Sequence, residues 1–182
     1  STKFGYNLPT ALAARGKIRV PDIMQARLAI GISGRVVVVK KPLNFAISPD
    51  WCTVASSVSR DESGANAGFV GTVQTMEWDP SGDNLYVGTQ SGVLYRISHL
   101  KSLHDSIGVK SIDSLKANMI DSTAGLQRKR SLIRCTKIGS FSGGVITSIS
   151  VDPINGSKIV VTVGGYVTTP RVYYATSPAT HT

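Results

Sequence analysis

Thr75-Met76-Glu77-Trp78-Asp79-Pro80 and Ser148-Ile149-Ser150-Val151-Asp152-Pro153 are two copies of one phrase: small, apolar, polar, apolar, Asp, Pro. A turn containing glycine follows each copy, Ser81-Gly82-Asp83-Asn84 in the first and Ile154-Asn155-Gly156-Ser157 in the second. Then comes a strand-like run, Leu85-Tyr86-Val87 or Ile159-Val160-Val161, a further glycine turn, and a last run, Leu94-Tyr95-Arg96 or Val172-Tyr173-Tyr174. Alternation over so few residues is the pattern of β-strands, with successive side chains on opposite sheet faces. Asp-Pro suits the turn between them, because Asp can accept from backbone N–H groups ahead of it and Pro fixes φ.

Working outward, a third and partial copy lies earlier. Ala29-Ile30-Gly31-Ile32-Ser33-Gly34-Arg35-Val36-Val37 matches Tyr86-Val87-Gly88-Thr89-Gln90-Ser91-Gly92-Val93-Leu94 with one residue deleted. Residues 27–40 read as two strands around a tight turn at Ser33-Gly34, where glycine supplies a positive φ. Strands are expected at 69–79, 84–89 and 93–98, then at 132–138, 145–151, 158–163 and 171–176. Thr10 to Arg15 reads as a short helical turn and Lys17 to Val20 as a short strand. The polar stretch Ala46 to Gly68 reads as a loop with Trp51 anchoring its start. Residues 99–131 break the strand pattern. Leu100, Leu103 and Ile107, then Ile112, Leu115, Met119 and Ile120, have helical spacing, which predicts a small helical insertion.

A small sheet of this kind cannot bury both faces alone, and stacking copies about an axis does so. The expectation is an all-β chain of β-propeller blades of antiparallel strands. It forms one partial propeller over residues 1–182, blade-like at 26–40, 69–98 and 132–176, with the insertion at 99–131. A sandwich or another β-repeat is the competing architecture.

Composition agrees with an all-β globular chain. The 182 residues include 41% hydrophobic and 17% charged, with 18 glycines, a balance that argues against disorder. The net charge of +9 favours anionic partners such as acidic glycans or a negatively charged surface. Only Arg128-Lys129-Arg130 forms a tight basic cluster. No aromatics are interleaved with it, so a nucleic-acid groove is not expected. No apolar run approaches the ~18 residues of a membrane-spanning helix. The chain opens at Ser1-Thr2-Lys3 without methionine, so its start reads as processed or incomplete. Cys52 and Cys135 can form one disulfide or remain two buried thiols, and no metal-ligand spacing surrounds them.

No catalytic constellation stands out. Asp61-Glu62 is the one adjacent acidic pair, in a polar loop, whereas glycoside hydrolysis needs two carboxylates facing the bond. The histidines, His99, His104 and His181, read as surface residues. Asp79, Asp83 and Asp152 could ligate calcium but read first as turn caps. Neither Ser142-Gly143-Gly144 nor Gly164-Gly165 is followed by the Lys-Ser/Thr of a phosphate loop. Strand aromatics can stack on sugars or a partner, or fill the core. No cofactor and no metal are expected. The candidate partner-binding residues are Trp51, Arg128, Lys129, Arg130 and Tyr166.

Val145 to Pro153, Ile159 to Tyr166 and Val172 to Thr176 together resemble a blade of the BNR/Asp-box and sortilin-like β-propellers. Asp79 to Thr89 is similar in style, and the resemblance covers about half the chain. The Asp-box itself, Ser/Thr-x-Asp-x-Gly-x-Thr-Trp, is missing: after Ala175-Thr176-Ser177 the chain runs into Pro178-Ala179. That departure weakens a glycosidase reading and suggests a segment of a larger propeller. The blade style is similar to bacterial surface proteins of the type IX secretion and gliding group. The resemblance implies a secreted or cell-surface module that binds a protein partner, perhaps the rest of its own propeller or a larger assembly. The alternative is a fragment of a glycan-active Asp-box hydrolase or a carbohydrate-binding propeller. A third class is an intracellular scaffold like the WD-repeat proteins.

Overall fold

A computed structural model describes residues 10–15, 27–40, 50–100, 132–165 and 169–176. It is all-β, with three antiparallel sheets. The first holds β1 (Ala11–Arg15), β2 (Arg27–Ile32), β3 (Arg35–Lys40) and β4 (Asp50–Ala55) in chain order. The second holds β5 (Val73–Trp78), β6 (Leu85–Thr89), β7 (Val93–Ser98) and β8 (Arg134–Ser140), also in chain order. The third holds β9 (Val145–Val151), β10 (Ile159–Gly164) and β11 (Arg171–Ala175), with β10 central. Each sheet is a meander, and the described residues do not close the three sheets into a ring.

Strand formation follows the alternation. In β10, Ile159, Val161 and Val163 are buried while the residues between them are half-exposed. The second sheet is buried on both sides, so β6 is buried along its whole length. Leu85 and Val87 face the first sheet, and Tyr86 and Leu94 face the third.

Two core clusters result. One fills the space between the first and second sheets and includes Val36, Val54, Phe69, Trp78 and Ile97. The other lies between the second and third sheets and includes Tyr86, Leu94, Ile146, Ile149 and Val161.

The two junctions share a socket. Gly31 of β2 lies against Val73 of β5, and Gly88 of β6 lies against Ile146 of β9; a Cβ at either glycine would overlap the facing side chain. Those two glycines occupy the same place in the matched stretches of sequence. Their hairpin turns correspond as well. Gly34 and Gly92 have φ of 68° and 75°, which glycine adopts at little cost. Gly34 donates its N–H to the carbonyl of Gly71 at 2.8 Å, and the carbonyl of Gly92 accepts from Phe141 N–H at 2.8 Å. In both cases the second hairpin of one sheet is tied to the connection entering the next.

Three expectations are corrected. Thr10 to Arg15 does not form a helical turn. Ala11–Arg15 is a strand in register with β2, and Thr10 donates its N–H to Gly31 O at 2.7 Å. The Ala-rich run has high helix propensity, but pairing with β2 overrides it. Ala46 to Gly68 is not all loop. Asp50–Ala55 is an outer strand whose Cys52 and Val54 point into the core, a short apolar alternation hidden among polar neighbours. Finally, 132–140 does not open the third sheet. β8 pairs with β7 and completes the second sheet, sending Ile133 and Cys135 into the first core cluster. The interval 99–131 therefore falls between the third and fourth strands of one sheet. The expected helical insertion lies outside the described residues, apart from His99 and Leu100. Lys17 to Val20 is outside them too.

Candidate partner-binding surface

The Asp-Pro turns lie side by side on one rim. The Asp79 carboxylate is buried and accepts from Ser81 Oγ at 2.6 Å, Asn84 N–H at 3.1 Å and Asn84 Nδ2 at 3.0 Å. The Asp152 carboxylate accepts from the N–H groups of Ile154 and Asn155 at 2.8 and 3.1 Å. Those two bonds hold its pKa below the usual carboxylate value, outweighing a small opposing effect of burial. Gly156 of the second turn sits against Pro80 and Asp79 of the first, and Tyr86 donates its hydroxyl to Gly156 O at 3.1 Å. These aspartates build turns. No group of three or more His, Cys, Asp or Glu capable of holding a metal occurs among the described residues.

The Asp61-Glu62 pair divides its work. Asp61 folds its own loop, accepting from Ser63 Oγ at 2.6 Å and from the N–H groups of Ser63 and Ala65 at 2.9 and 3.0 Å. Glu62 crosses to the second sheet. It accepts from Ser98 Oγ at 2.5 Å and Arg96 Nη2 at 3.1 Å, and its other oxygen is 3.1 Å from His99 Nε2. Burial by itself would raise the Glu62 pKa. The hydrogen bonds from Ser98 and His99 and the charges of His99 and Arg96 bring it below its ordinary value. The same loop reaches β8, where Cys135 N–H donates to Arg60 O at 2.8 Å. This loop clasps the outer edge of the second sheet. Nothing in the sequence marks Glu62 apart from Asp61. His99 is the sole non-glycine among the described residues with positive φ, at 64°, a conformation for which His is enriched among non-glycine residues.

Both cysteines are buried in the first core cluster. Cys135 is a free thiol whose pKa is pushed up to about 12 by burial.

The third sheet lacks a counterpart of β4 and β8. Its outer strand β11 pairs with β10, and no described strand lies on the far side. Val172, Tyr173 and Tyr174 are exposed there, at 71%, 36% and 62%. Inside this edge, an apolar groove of about 330 Å³ separates β11 from β8, lined by Leu94, Ile138, Phe141, Tyr173 and Ala175 among others. The Phe141 and Tyr173 rings touch across it, centroids 4.5 Å apart. On the same face of the second sheet, Arg96 Nε and Thr136 Oγ1 are buried without a hydrogen-bond partner. Sequence reasoning did not find this groove, since it arises where two separate sheets meet.

Of the sequence-derived candidates, Trp51 lies in β4, in register with Val39 of β3. Arg128, Lys129, Arg130 and Tyr166 lie outside the described residues, as do His104 and His181. The structure therefore brings none of the five together. No described helix is long and apolar enough to cross a membrane. No protein-family model and no curated protein matches the chain.

Proposed function

We propose that this chain is a non-enzymatic β-propeller-type module, exposed at the cell surface or secreted, that acts by binding protein. The observation that carries the reading is the exposed apolar edge of the third sheet. It interrupts a stacking relation that the chain otherwise repeats. Sockets at Gly31 and Gly88, and turn ties at Gly34 and Gly92, give each sheet the same seat on the next. A constant rotation of this kind is how radial sheet repeats are built. Soluble proteins rarely leave contiguous apolar surface unless it is used for interaction. The carboxylates of Asp61, Glu62, Asp79 and Asp152 are engaged in local hydrogen bonds, which supports a binding role over a hydrolytic one. The surface or secreted location rests on the blade resemblance, and the basic net charge suits anionic surroundings.

Cross-linking on intact source cells, followed by mass spectrometry, tests the interaction. Links from Lys137 or Lys158 to a different protein are expected. Links confined to this protein would overturn it. Electron microscopy of the native protein tests the architecture: radially arranged sheets around an axis are expected, and a flat stack would overturn the propeller.

A further inference from the structure

We propose that the open edge of β11, together with the apolar groove beside it, takes up an extended acidic segment of a partner polypeptide as a fourth strand of the third sheet. The inference rests on the interaction reading and names its site and the chemistry of its partner.

The first junction shows what a fourth strand does in this architecture. There β4 pairs with β3 and comes against β8, sending Cys52 and Val54 into the space that Ile133 and Cys135 enter from the other side. Phe69 seals that space, its ring 4.8 Å from that of Tyr95. At the second junction the corresponding space is the groove of about 330 Å³, and the strand that would cover it is missing among the described residues. An unpaired strand edge is a template for another strand, and strand addition combines main-chain hydrogen bonds with alternate side chains in pockets. Apolar residues at every second position of the incoming segment would enter the groove between Leu94, Ile138 and Tyr173.

Two observations give the segment its charge. Arg96 Nε and Thr136 Oγ1 face this junction, buried and unpartnered, whereas buried polar groups are normally hydrogen-bonded. A carboxylate or amide oxygen on the incoming strand would accept from both. The receiving chain also carries a net charge of +9, with Arg171 on the edge strand itself. A second copy would bring another +9 to the same edge, so an acidic partner is favoured over self-association.

The test is selection of a phage-displayed library of random twelve-residue peptides on the full chain, with Ala175→Trp and Ile138→Glu as counterparts. Ala175→Trp fills the groove, and Ile138→Glu places a negative charge in it. Denaturant midpoints establish that both variants fold. Peptides with apolar residues at alternate positions and net negative charge are expected to be enriched. Binding should weaken at least tenfold with Ala175→Trp, and Ile138→Glu should shift the selected charge from acidic to basic. Val58→Trp, at an exposed site elsewhere, should leave binding unchanged. Amides of β11 should exchange slowly only when peptide is added. Enrichment of non-alternating or basic peptides, or equal binding to the filled groove, would overturn the proposal. So would a dimer, or a longer native chain, in which β11 is already protected. A flat stack of sheets in the micrographs would overturn the propeller and leave strand addition standing.

Discussion

The junction between the first and second sheets and that between the second and third are alike at their inner ends and unlike at their outer ends. Inside, a glycine on the second strand of one sheet receives a β-branched residue of the next, Val73 at Gly31 and Ile146 at Gly88. Outside, the first junction is closed by β4, Phe69 and the loop at 56–68, while the second is an open groove beside β11. The difference teaches that seating and sealing are separate tasks. Close approach at a glycine sets how two sheets meet. A fourth strand and a clasping loop keep water out of the rim.

The largest expected effect falls on the seal. Phe69 is fully buried, so Phe69→Ala should cost about 3–5 kcal/mol of stability. Phe141, its half-buried counterpart at the open junction, should cost only about 1–2 kcal/mol as Phe141→Ala. Urea denaturation of the two variants measures the contrast, and equal losses would break it. Next come the sockets. Gly31→Ala and Gly88→Ala each force a Cβ into the facing side chain, and each should cost about 1–3 kcal/mol by overpacking. If seating is shared between junctions, the two losses should agree closely. A cost at one socket alone would mean that the junctions differ inside as well.

Much of this arrangement was legible in the sequence. The strands at 93–98 and 145–151 coincide with β7 and β9, and the hairpin at Ser33-Gly34 is where it was expected. Local alternation and turn chemistry suffice there. The paired sequence copies also hold the two socket glycines, although nothing in the sequence says that Gly31 and Gly88 exist to admit a neighbour. β4 and β8 were missed or misplaced because an outer strand is identified by its partner. Asp50–Ala55 is too short and too polar in its surroundings to stand out, and the allegiance of 134–140 to β7 is decided across the 99–131 interval. Glu62 was indistinguishable from Asp61 for the same reason: its partners Arg96 and Ser98 lie more than thirty residues away.

The turns sharpen the comparison at a smaller scale. Asp79 is buried and holds three donors, so Asp79→Ala should cost about 2 kcal/mol, as loss of hydrogen bonds to a charged acceptor does. Asp152 is exposed and holds two backbone N–H groups, so Asp152→Ala should move the urea midpoint less. Thiol chemistry reports on the seal without a mutation. Burial pushes Cys135 up to about 12, and the thiolate is the reactive form. Cys135 in the folded protein should therefore stay unmodified by iodoacetamide at pH 8 and react on unfolding. Rapid labelling of the folded chain would show that the first junction opens.

The smallest effect belongs to the clasp, and it carries a sign that pH reveals. Glu62 is partly exposed, its side chain at 40%, so Glu62→Gln at neutral pH should cost no more than about 1 kcal/mol. Its pKa is lower in the folded chain than in the unfolded one. Such a group binds fewer protons folded than unfolded, so its contribution is complete above the unfolded value of 4.5. It is lost as pH falls through the depressed folded value. Acid should therefore loosen the loop at 56–68 before the sheets come apart. A nuclear magnetic resonance titration should show the Cys135 amide, which bonds Arg60 O, shifting with the Glu62 carboxyl. In Glu62→Gln that step should vanish while the Asp152 turn still titrates. A Cys135 amide that keeps its acid-induced shift in Glu62→Gln would mean that the clasp is held by its backbone bond alone, and that the first junction owes its closure to β4 and Phe69.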